Sequence, residues 1–373
     1  MKILYVTSAL TKGGAEKVVV ELANMASSKN NEVSILAGWP TDPEILQNQI
    51  NNKVEVFFLS KNNRFSYFKI PIWIFKNLKK LTQYDIIHCH LSFGSFFGTL
   101  FYIFSGKLFK KKHPILIETY HAVGMNISKA SRWSHSLLSK YRDGFVIMAK
   151  DAFWDNFLIK NKNIKSELIL NGIALPNNLD NLLEKNKDKK PQTKYVVGTI
   201  GMLRPDRQPH LYIPIFKSIY QSLGDDVSFI IGGNGPEMEN MKQLIDDNNL
   251  SKKIQLIGLV NNATEVLVNL DLYISLSVDS AAGISMIEAA MCKIPVVAIQ
   301  LNKNYKRKDT DWIWSDADPS KVSTKTISLL QNENEQSSYQ KNQYDYLISN
   351  LTSEVMYNKY EKLYKALLEK NSN

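Results

Sequence analysis

The chain has 373 residues, of which 44% are hydrophobic and 22% are charged, and this composition excludes a disordered or fibrous protein. A chain of this length is longer than a single domain with one hydrophobic core usually is, so two domains are expected. The formal net charge is +10. Residues 1–175 hold 23 basic and 12 acidic side chains, whereas residues 176–373 hold 23 and 24. The first half therefore attracts anions, which leaves nucleic acid, an anionic lipid surface or a phosphorylated acceptor as partner classes.

Short apolar runs alternate with helical spacing along the whole chain. Strands are predicted at 2–7, 32–37, 54–59, 84–90, 114–120, 144–149, 166–170, 195–201, 227–232, 253–257, 271–276 and 295–299. Continuously apolar runs are typical of strands buried on both faces, and strands that alternate with helices indicate parallel sheets. The predicted fold class is therefore α/β, with two doubly wound domains.

A polar stretch at 176–193 predicts the linker between an N-terminal domain at 1–175 and a C-terminal domain at 194–350. The tail at 351–373 is expected to form a helix. The spacing of its tyrosines places them on one face of the helix. That face can pack against either domain, including the N-terminal one.

The two cysteines, Cys89 and Cys292, fall in different predicted domains, so no disulfide framework or zinc site is expected and a reducing, cytoplasmic compartment is favoured. The first seven residues are too short an apolar run for a signal peptide. The uncharged stretch at 86–106 is interrupted by polar residues and glycines. We expect a strand ending near His90 and then a buried or interfacial helix, rather than a membrane span.

Glycine pairs follow two of the predicted strands. Gly13 and Gly14 come after the first strand, and Gly233 and Gly235 come after the ninth. Glycine lets the backbone approach a ligand closely, and a helix start offers free N–H groups to an anion. The dinucleotide pattern Gly-x-Gly-x-x-Gly is absent, so each pair is a weak phosphate signal. The helix after the second pair is expected to begin at Pro236.

Stronger anion signals occur in the second half. Arg204 and Arg207 follow the strand at 195–201, and guanidinium groups bind phosphate oxygens in a forked manner. Gly283 opens another helix, and Glu288 lies where a carboxylate can accept two hydrogen bonds from a ribose. Ligands of open α/β sheets lie beyond the carboxyl ends of the strands. The pattern favours a nucleoside diphosphate, and the alternative is a solvated loop beside an ordinary helix.

Histidines end two predicted strands of the first half. His88 and His90 end one, and His121 ends the next. A histidine at this edge can donate to a sugar hydroxyl or a phosphate, and we expect His121 to be functional and His88 to belong to the core. No third ligand is evident beside His88 and His90, so no metal is predicted. Asp318, just before Pro319, is expected to cap a helix.

In order and spacing, these motifs resemble the family 4 retaining glycosyltransferases of the GT-B fold that act in bacterial cell-surface polysaccharide and glycolipid synthesis. The resemblance covers nearly the whole chain, through residues 13–16, 85–90, 119–121, 170–173, 201–207, 232–236 and 283–297. It implies two Rossmann-like domains that face each other across a cleft, the first for the acceptor and the second for the donor.

The resemblance also implies residue roles. Glu288 matches the glutamate that binds the donor ribose, Arg207 matches the basic residue at the diphosphate, and His121 matches the histidine near the transferred sugar. These three are the expected catalytic residues. The expected donor-binding residues are Gly14, Arg204, Gly235, Gly283, Ile284, Ser285 and Glu288.

Two positions depart from the family pattern. The first glutamate of its Glu-x7-Glu pair is Ser280 here, which puts the identity of the donor sugar in doubt. The usual arginine before the loop leucine is Met202, for which Arg204 can substitute.

The implied reaction is a metal-independent, retaining transfer from a UDP- or GDP-sugar, without a cofactor, to a lipid-linked glycan or glycolipid. Arginines and a helix start would stabilise the leaving diphosphate. The basic cluster Lys107, Lys110, Lys111 and Lys112 lies beside a Phe-rich helix at 96–104, and a similar mixture of lysines and aromatics spans 64–80. Both favour an acceptor at an anionic membrane surface, with the protein peripheral on the inner face of the plasma membrane. The alternative is a soluble domain with a solvated basic face.

Three other functions stay open. A nucleic-acid binder would need a recognition element or a stacking platform, and none is evident, so no nucleic-acid partner is expected. Another GT-B enzyme, such as a sugar-nucleotide epimerase, would need acid and base carboxylates in the cleft. A non-catalytic scaffold would have lost its activity through Ser280.

Overall fold

The computed structural model describes residues 1–11, 13–40, 49–60, 66–108, 114–121, 128–149, 151–175, 179, 181, 193–277, 283–301 and 312–372. The chain divides into two compact units. The first unit comprises Met1–Ala174 and Ser353–Asn373, and the second comprises Leu175–Thr352. Each unit is built on one parallel sheet, which confirms the predicted α/β class with two domains.

The strands of the first unit are β1 (Lys2–Thr7), β2 (Glu32–Ala37), β3 (Glu55–Phe58), β4 (Ile86–His90), β5 (Ile115–Tyr120), β6 (Gly144–Ile147) and β7 (Lys165–Leu168). In the described residues they form a seven-stranded sheet in the order β3-β2-β1-β4-β5-β6-β7. Every residue of β4 and β5 is buried, as their position inside the sheet requires. The strand order reverses between β1 and β4, which pair in parallel.

The strands of the second unit are β8 (Tyr195–Ile200), β9 (Val227–Gly232), β10 (Ile254–Gly258), β11 (Leu272–Ser277), β12 (Val296–Gln300) and β13 (Ile313–Ser315). Their order in the described part of the chain is β10-β9-β8-β11-β12-β13, with the reversal between β8 and β11. β13 was not predicted, because three residues are too few to give a periodic signal.

The helices of the described residues are α1 (Gly14–Ser28), α2 (Ser66–Leu81), α3 (Leu91–Leu108), α4 (Lys129–Ser139), α5 (Ala152–Lys160), α6 (Tyr212–Leu223), α7 (Met238–Asp247), α8 (Ala263–Leu267), α9 (Ile284–Met291), α10 (Pro319–Gln331), α11 (Glu333–Asn350) and α12 (Ser353–Ser372). Asp318 caps α10 by accepting hydrogen bonds from the backbone N–H groups of Ser320 and Lys321, and Pro319 is its first residue. The predicted cap is confirmed.

The start predicted for α7 is wrong by two residues. The helix begins at Met238 and not at Pro236, because Pro236 and Glu237 form a turn that the N–H of Met238 closes on the carbonyl of Gly235 at 3.1 Å; the N–H of Glu237 donates to the carbonyl of Leu203 at 3.0 Å. The backbone of Glu237 therefore stabilises the loop that follows β8.

The Phe-rich helix α3 is largely core. Phe93, Phe97 and Phe101 recur every four residues and are fully buried under the sheet. Gly98 permits this close packing, since a Cβ there would lie 2.6 Å from Cys89 Sγ. The predicted strand followed by a buried or interfacial helix is confirmed at 86–108. No helix in the described ranges is long and apolar enough to cross a bilayer.

The last helix, α12, belongs to the first unit. It contacts α1 and β5, and the one-face tyrosines Tyr357, Tyr360 and Tyr364 are all buried. The N–H of Ser353 donates to the carbonyl of Ile173 at 2.9 Å, where the chain returns to the unit.

Candidate functional site

The carboxyl edge of the second sheet brings two predicted donor-binding segments together at the point where the strand order reverses. β8 leads into the loop that carries Arg204 and Arg207, and β11 leads towards Gly283, the N-cap of α9. Tyr273 of β11 connects the two. Its hydroxyl donates to the carbonyl of Ile200 at 2.8 Å and lies 3.1 Å from Ser285 Oγ. In open α/β sheets this switch point is where ligands bind.

The first turn of α9 has the features of an anion-binding helix start. Gly283 has an extended backbone, φ −65° and ψ 152°, and its side-chain position faces open space. As a glycine, this N-cap residue supplies no side-chain cap to the helix. Ile284 and Ser285 follow in the first turn, whose N–H groups have no intrahelical acceptor. Glu288 is the fifth residue of α9 and is partly buried. Its charge adds to burial in raising the pKa of Tyr273.

The two arginines of the loop after β8 differ in their surroundings. Arg204 forms a forked ion pair with Asp206, with Nε–Oδ1 at 2.8 Å and Nη2–Oδ2 at 2.5 Å. That hydrogen bond holds the pKa of Asp206 below its usual range. Arg207 is half-buried and lies near enough to Tyr212 for its charge to oppose the increase in the pKa of Tyr212 that burial causes. Among the described residues, the ion pair of this loop is that of Arg204 with Asp206, and the charge of Arg207 also contributes to the lowered pKa of Asp206.

The glycines after β9 hold this loop in place. Gly233 has φ +136°, and a Cβ there would overlap the carbonyl oxygen of Gly201. A Cβ on Gly235 would overlap the carbonyl oxygen of Leu203, whose N–H in turn donates to the carbonyl of Asn234 at 3.0 Å. The protein's own backbone thus accounts for the need for glycine at both positions.

In the first unit, the histidines form a buried hydrogen-bonded cluster. His90 Nδ1 and His121 Nε2 are 2.9 Å apart. His88 lies between Tyr364 Oη at 2.7 Å and Thr119 Oγ1 at 2.8 Å. Burial lowers the pKa of His88 to about 3 and that of His121 to about 4, so both are neutral at physiological pH. His88 is a core residue, as expected, whereas His121 is partly exposed.

Behind these histidines lies a buried carboxylate. Glu118 Oε2 is 2.9 Å from Arg142 Nε, and both side chains are at most 1% exposed. Glu118 Oε1 also accepts from Ser95 Oγ at 2.6 Å and meets His135 Nε2 at 2.5 Å. Burial alone would raise the pKa of Glu118, but Arg142 and His135 outweigh it and lower the pKa to about 2. The carboxylate is therefore ionised in the folded protein.

The helix start at Gly14 already has a negative group beside it. Glu16 folds back over Gly13, and its carboxylate accepts a hydrogen bond from Thr11 Oγ1 at 3.3 Å. Burial raises the pKa of Glu16. A phosphate at this position would have to displace or compensate that carboxylate.

Several sequence-based expectations fall outside the described residues. They concern Lys110, Lys111 and Lys112, the position of Ser280, and the side chain of Lys107. In the described part of the chain, no group of three or more His, Cys, Asp or Glu side chains is placed to hold a metal ion.

Four residues of these clusters, Tyr273, Tyr212, Glu118 and Arg142, were not predicted from the sequence. Tyr212 Oη accepts from Thr199 Oγ1 at 2.8 Å and from the N–H of Leu276 at 3.2 Å, so it joins β8 to β11. In the amino-acid sequence alone, such residues cannot be told from ordinary core or surface residues. Glu118 is the exception, because a charged residue inside an otherwise apolar strand is a signal that sequence analysis could have used to predict a functional or buried ionic position.

Comparison with known families gives matches to both halves of the chain. The model described as "Glycosyltransferase Family 4" matches residues 12–175, and the model described as "Glycosyl transferases group 1" matches residues 180–346.

The curated relatives either match about a third of the chain at higher identity or most of the chain at lower identity. The chain is 32% identical over 120 residues to the phosphatidylinositol N-acetylglucosaminyltransferase GPI3 subunit of Saccharomyces cerevisiae (strain YJM789), a match that covers 32% of this chain and 26% of that protein. The chain thus spans about a quarter of that relative's length. It is 22% identical over 329 residues to the UDP-Gal:alpha-D-GlcNAc-diphosphoundecaprenol alpha-1,3-galactosyltransferase of Escherichia coli, which covers 82% of this chain and 80% of that one.

Solved structures share the fold. The Anabaena protein Alr3699/HepE, in complex with UDP and glucose, superposes with a TM-score of 0.76 at 15% identity, over 98% of this chain and 100% of that chain. WaaG, described as a glycosyltransferase involved in lipopolysaccharide biosynthesis, gives a TM-score of 0.65 at 12% identity, over 98% and 99%.

Proposed function

The chain belongs to glycosyltransferase family 4 and has the GT-B fold, and from this we propose that it moves a sugar from a nucleoside-diphosphate sugar to a lipid-linked glycan or glycolipid, with retained configuration. The observation that carries the proposal is the junction at Tyr273, whose hydroxyl lies against both Ile200 and Ser285. It connects the end of β8, which the arginine loop follows, to the first turn of α9, at the switch point of the second sheet.

The donor diphosphate would bind at this junction. The backbone N–H groups of Gly283, Ile284 and Ser285 offer donors to phosphate oxygens, and the positive end of the helix dipole adds to them. Arg207 would supply the main positive charge, since Arg204 is already paired with Asp206. Glu288, one turn further along α9, would accept hydrogen bonds from the two ribose hydroxyls.

The chemistry follows from the charges. Cleavage of the sugar–phosphate bond places negative charge on the departing diphosphate and positive charge on the sugar ring. Arg207 and the α9 start stabilise the diphosphate electrostatically, without a cofactor or metal. The leaving oxygen then takes the proton of the acceptor hydroxyl, which attacks from the same face, so configuration is retained. The imidazole of His121, neutral because burial lowers its pKa, would donate a hydrogen bond to the transferred sugar.

The acceptor proposal is supported by the charge distribution and by the relatives. Residues 51–150 carry 16 basic and 4 acidic side chains, which suits a pyrophosphate-linked or anionic lipid acceptor. The Escherichia coli relative is named for a diphosphoundecaprenol-linked acceptor, and so is a Campylobacter jejuni relative that is 25% identical over 301 residues. Lys107 and Lys110–Lys112 are proposed contacts for such an acceptor at the inner face of the plasma membrane.

The test is nucleotide binding followed by transfer. UDP or GDP is expected to raise the unfolding temperature and to bind in calorimetry. Glu288→Ala should weaken that binding about a hundredfold, because two charge-assisted hydrogen bonds are lost. The control is Glu239→Ala, on α7 of the same unit, where the side chain is 82% exposed. Radiolabelled transfer from UDP- and GDP-sugars, unchanged by EDTA, would then identify the donor.

Other outcomes would contradict the proposal. Equal nucleotide affinity in Glu288→Ala and Glu239→Ala removes the assigned donor site. Conversion of the nucleotide sugar without any acceptor product would indicate an epimerase. Nucleotide binding with neither conversion nor transfer would indicate a scaffold.

A further inference from the structure

Two histidines at the carboxyl edge of the first sheet are coupled as a pair. β4 ends at His90, which lies opposite Thr119 of β5, and His121 directly follows the end of β5. His90 Nδ1 and His121 Nε2 lie 2.9 Å apart, and their ring centroids are 5.2 Å apart. His90 is fully buried, whereas His121 is partly exposed. The buried ring therefore holds the ring that solvent can reach.

A single proton is shared between the two facing nitrogens. Burial lowers the pKa of His90 well below its usual range, and the neighbouring His88 and His121 add to this effect. Burial also lowers the pKa of His121 to about 4. Both imidazoles are therefore neutral near pH 7, and a neutral imidazole has one N–H donor and one nitrogen acceptor. Either His90 Nδ1 donates to His121 Nε2, or His121 Nε2 donates to His90 Nδ1.

The second nitrogen of His90 decides between these two arrangements. His90 Nε2 is buried, and within the described ranges it has no hydrogen-bond partner. If His90 carries its proton on Nδ1, Nε2 is an unused acceptor. If His121 donates instead, the proton of His90 must lie on Nε2, where a buried N–H is left without an acceptor. Among backbone groups an orphaned buried N–H is rarer than an under-satisfied acceptor, and the same preference favours donation from His90.

The surroundings hold His90 in this orientation. The centroid of its ring lies 4.1 Å from that of His88 and 6.1 Å from that of Tyr5. His88 is itself held by a hydrogen bond of 2.7 Å to the hydroxyl of Tyr364. Because rings packed at interior density turn only when their neighbours move, His90 Nδ1 stays directed at His121.

We propose that His90 is a positioning residue that fixes the tautomer of His121, with the proton of His121 on Nδ1. The inference rests on the proposed function, in which His121 donates a hydrogen bond to the transferred sugar. Since His121 Nε2 is occupied as an acceptor, Nδ1–H is the group left to donate. Free neutral histidine prefers the opposite tautomer, with the proton on Nε2. Without His90, His121 would therefore offer the sugar a lone pair in place of a donor.

The first test reads the tautomer directly and needs no substrate. The chain has six histidines, and isotope labelling of their ring nitrogens allows magnetic resonance spectra at pH 7 to distinguish a protonated nitrogen from an unprotonated one. His121→Gln assigns the signals of His121 by their loss. Wild type should show His121 protonated on Nδ1. His90→Phe, which keeps a ring but removes both nitrogens, should show His121 protonated on Nε2.

The second test compares sugar transfer in a series of variants at position 90. His90→Phe should lower kcat about tenfold, which is the usual contribution of one hydrogen bond, while the affinity for the nucleotide alone stays as in wild type because that ligand lacks the sugar. His90→Asn places an amide N–H near the position of Nδ1 and should recover most of this loss. His90→Gln places its amide near the position of Nε2 and should not recover it.

Tyr364→Phe is the matched control. It removes the hydrogen bond to His88 and so perturbs the same cluster, but it leaves the contact between His90 and His121 in place. The tautomer of His121 and kcat should both equal those of wild type.

The inference is overturned if wild-type His121 carries its proton on Nε2, if His90→Phe keeps the wild-type tautomer, or if His90→Asn and His90→Gln have equal kcat. Equal losses of kcat in Tyr364→Phe and His90→Phe would also overturn it, because they would indicate a merely structural role. A wild type that holds the Nδ1 tautomer but transfers no sugar would contradict the proposed function instead.

Discussion

Ionisable side chains are buried in and beside the first sheet, among them His88, His90, Glu118 and Arg142. Partners offset part of the cost of this burial. Glu118 and Arg142 neutralise one another, whereas His88 stays neutral between Tyr364 and Thr119. A buried polar group without such partners would be costly, so specific polar contacts contribute to holding this sheet together.

The stability of this cluster should depend on pH in the acid range. His88 has an ordinary pKa of 6.5 when unfolded and about 3 when folded, so below pH 6.5 the unfolded chain binds the proton and the folded one does not. Between pH 7 and pH 5 this histidine alone should remove about 2 kcal/mol of folding free energy. Urea unfolding of His88→Gln should show a pH loss smaller by that amount.

The control for this prediction is His210→Gln, because His210 is exposed. It should show the same pH loss as wild type. A His88→Gln variant that keeps the full loss would mean that the burial of His88 does not govern its protonation.

The role of His88 as a core residue was predictable, because it lies inside an apolar strand. Its partners were not. Thr119, Tyr360 and Tyr364 are separated from it by 31 or more residues, and no local pattern connects a strand to a helix hundreds of positions later.

At the scale of elements, the strands were predictable because continuous apolar runs bounded by polar turns are typical of the buried strands of a parallel sheet. The loops were less so. The predicted start of α7 was wrong by two residues, because Pro236 and Glu237 form a turn, closed by the N–H of Met238 on the carbonyl of Gly235, before the helix begins. The loop after β8 and the loop after β9 form one structure, joined by the contacts of Gly233 and Leu203.

Gly233→Ala should therefore damage the arginine loop. The new Cβ meets the carbonyl of Gly201, and φ +136° is unfavourable for alanine, so we expect a loss of about 2 kcal/mol or more in unfolding free energy. Nucleotide affinity should fall as well, since Arg207 loses its position. Calorimetry and thermal unfolding measure the two effects.

Gly201→Ala is the matched control, because no atom lies within 4 Å of a Cβ at that position. It should leave the unfolding temperature nearly unchanged. Similar losses in the two variants would show that the contact with Gly201 does not hold the loop.

At the scale of the whole molecule, the chain crosses from the first unit to the second after Ala174 and returns at Ser353. The one-face spacing of Tyr357, Tyr360 and Tyr364 predicted a packed helix, but the sequence left open which unit receives it. The choice depends on hydrogen bonds to Thr119 and His88, which exist only once the first sheet has formed.

Tyr364→Ala should weaken the first unit and spare the second. Loss of a buried aromatic side chain costs about 3–5 kcal/mol. Hydrogen exchange followed by mass spectrometry should show faster exchange in β4 and β5, with β8 and β11 unchanged. Tyr344→Ala, on α11 of the second unit, should leave β4 and β5 protected. Uniform acceleration in all four strands would contradict the assignment of α12 to the first unit.

The position of α12 also bears on how the protein is made. A ribosome must translate the entire second unit before it reaches Tyr360 and Tyr364. Until those side chains leave the exit tunnel, the imidazole of His88 and the hydroxyl of Thr119 lack the phenol groups that complete their hydrogen bonds. The sheet that is translated first is thus the last to be completed, which reverses the usual order in which the N-terminal domain finishes folding first.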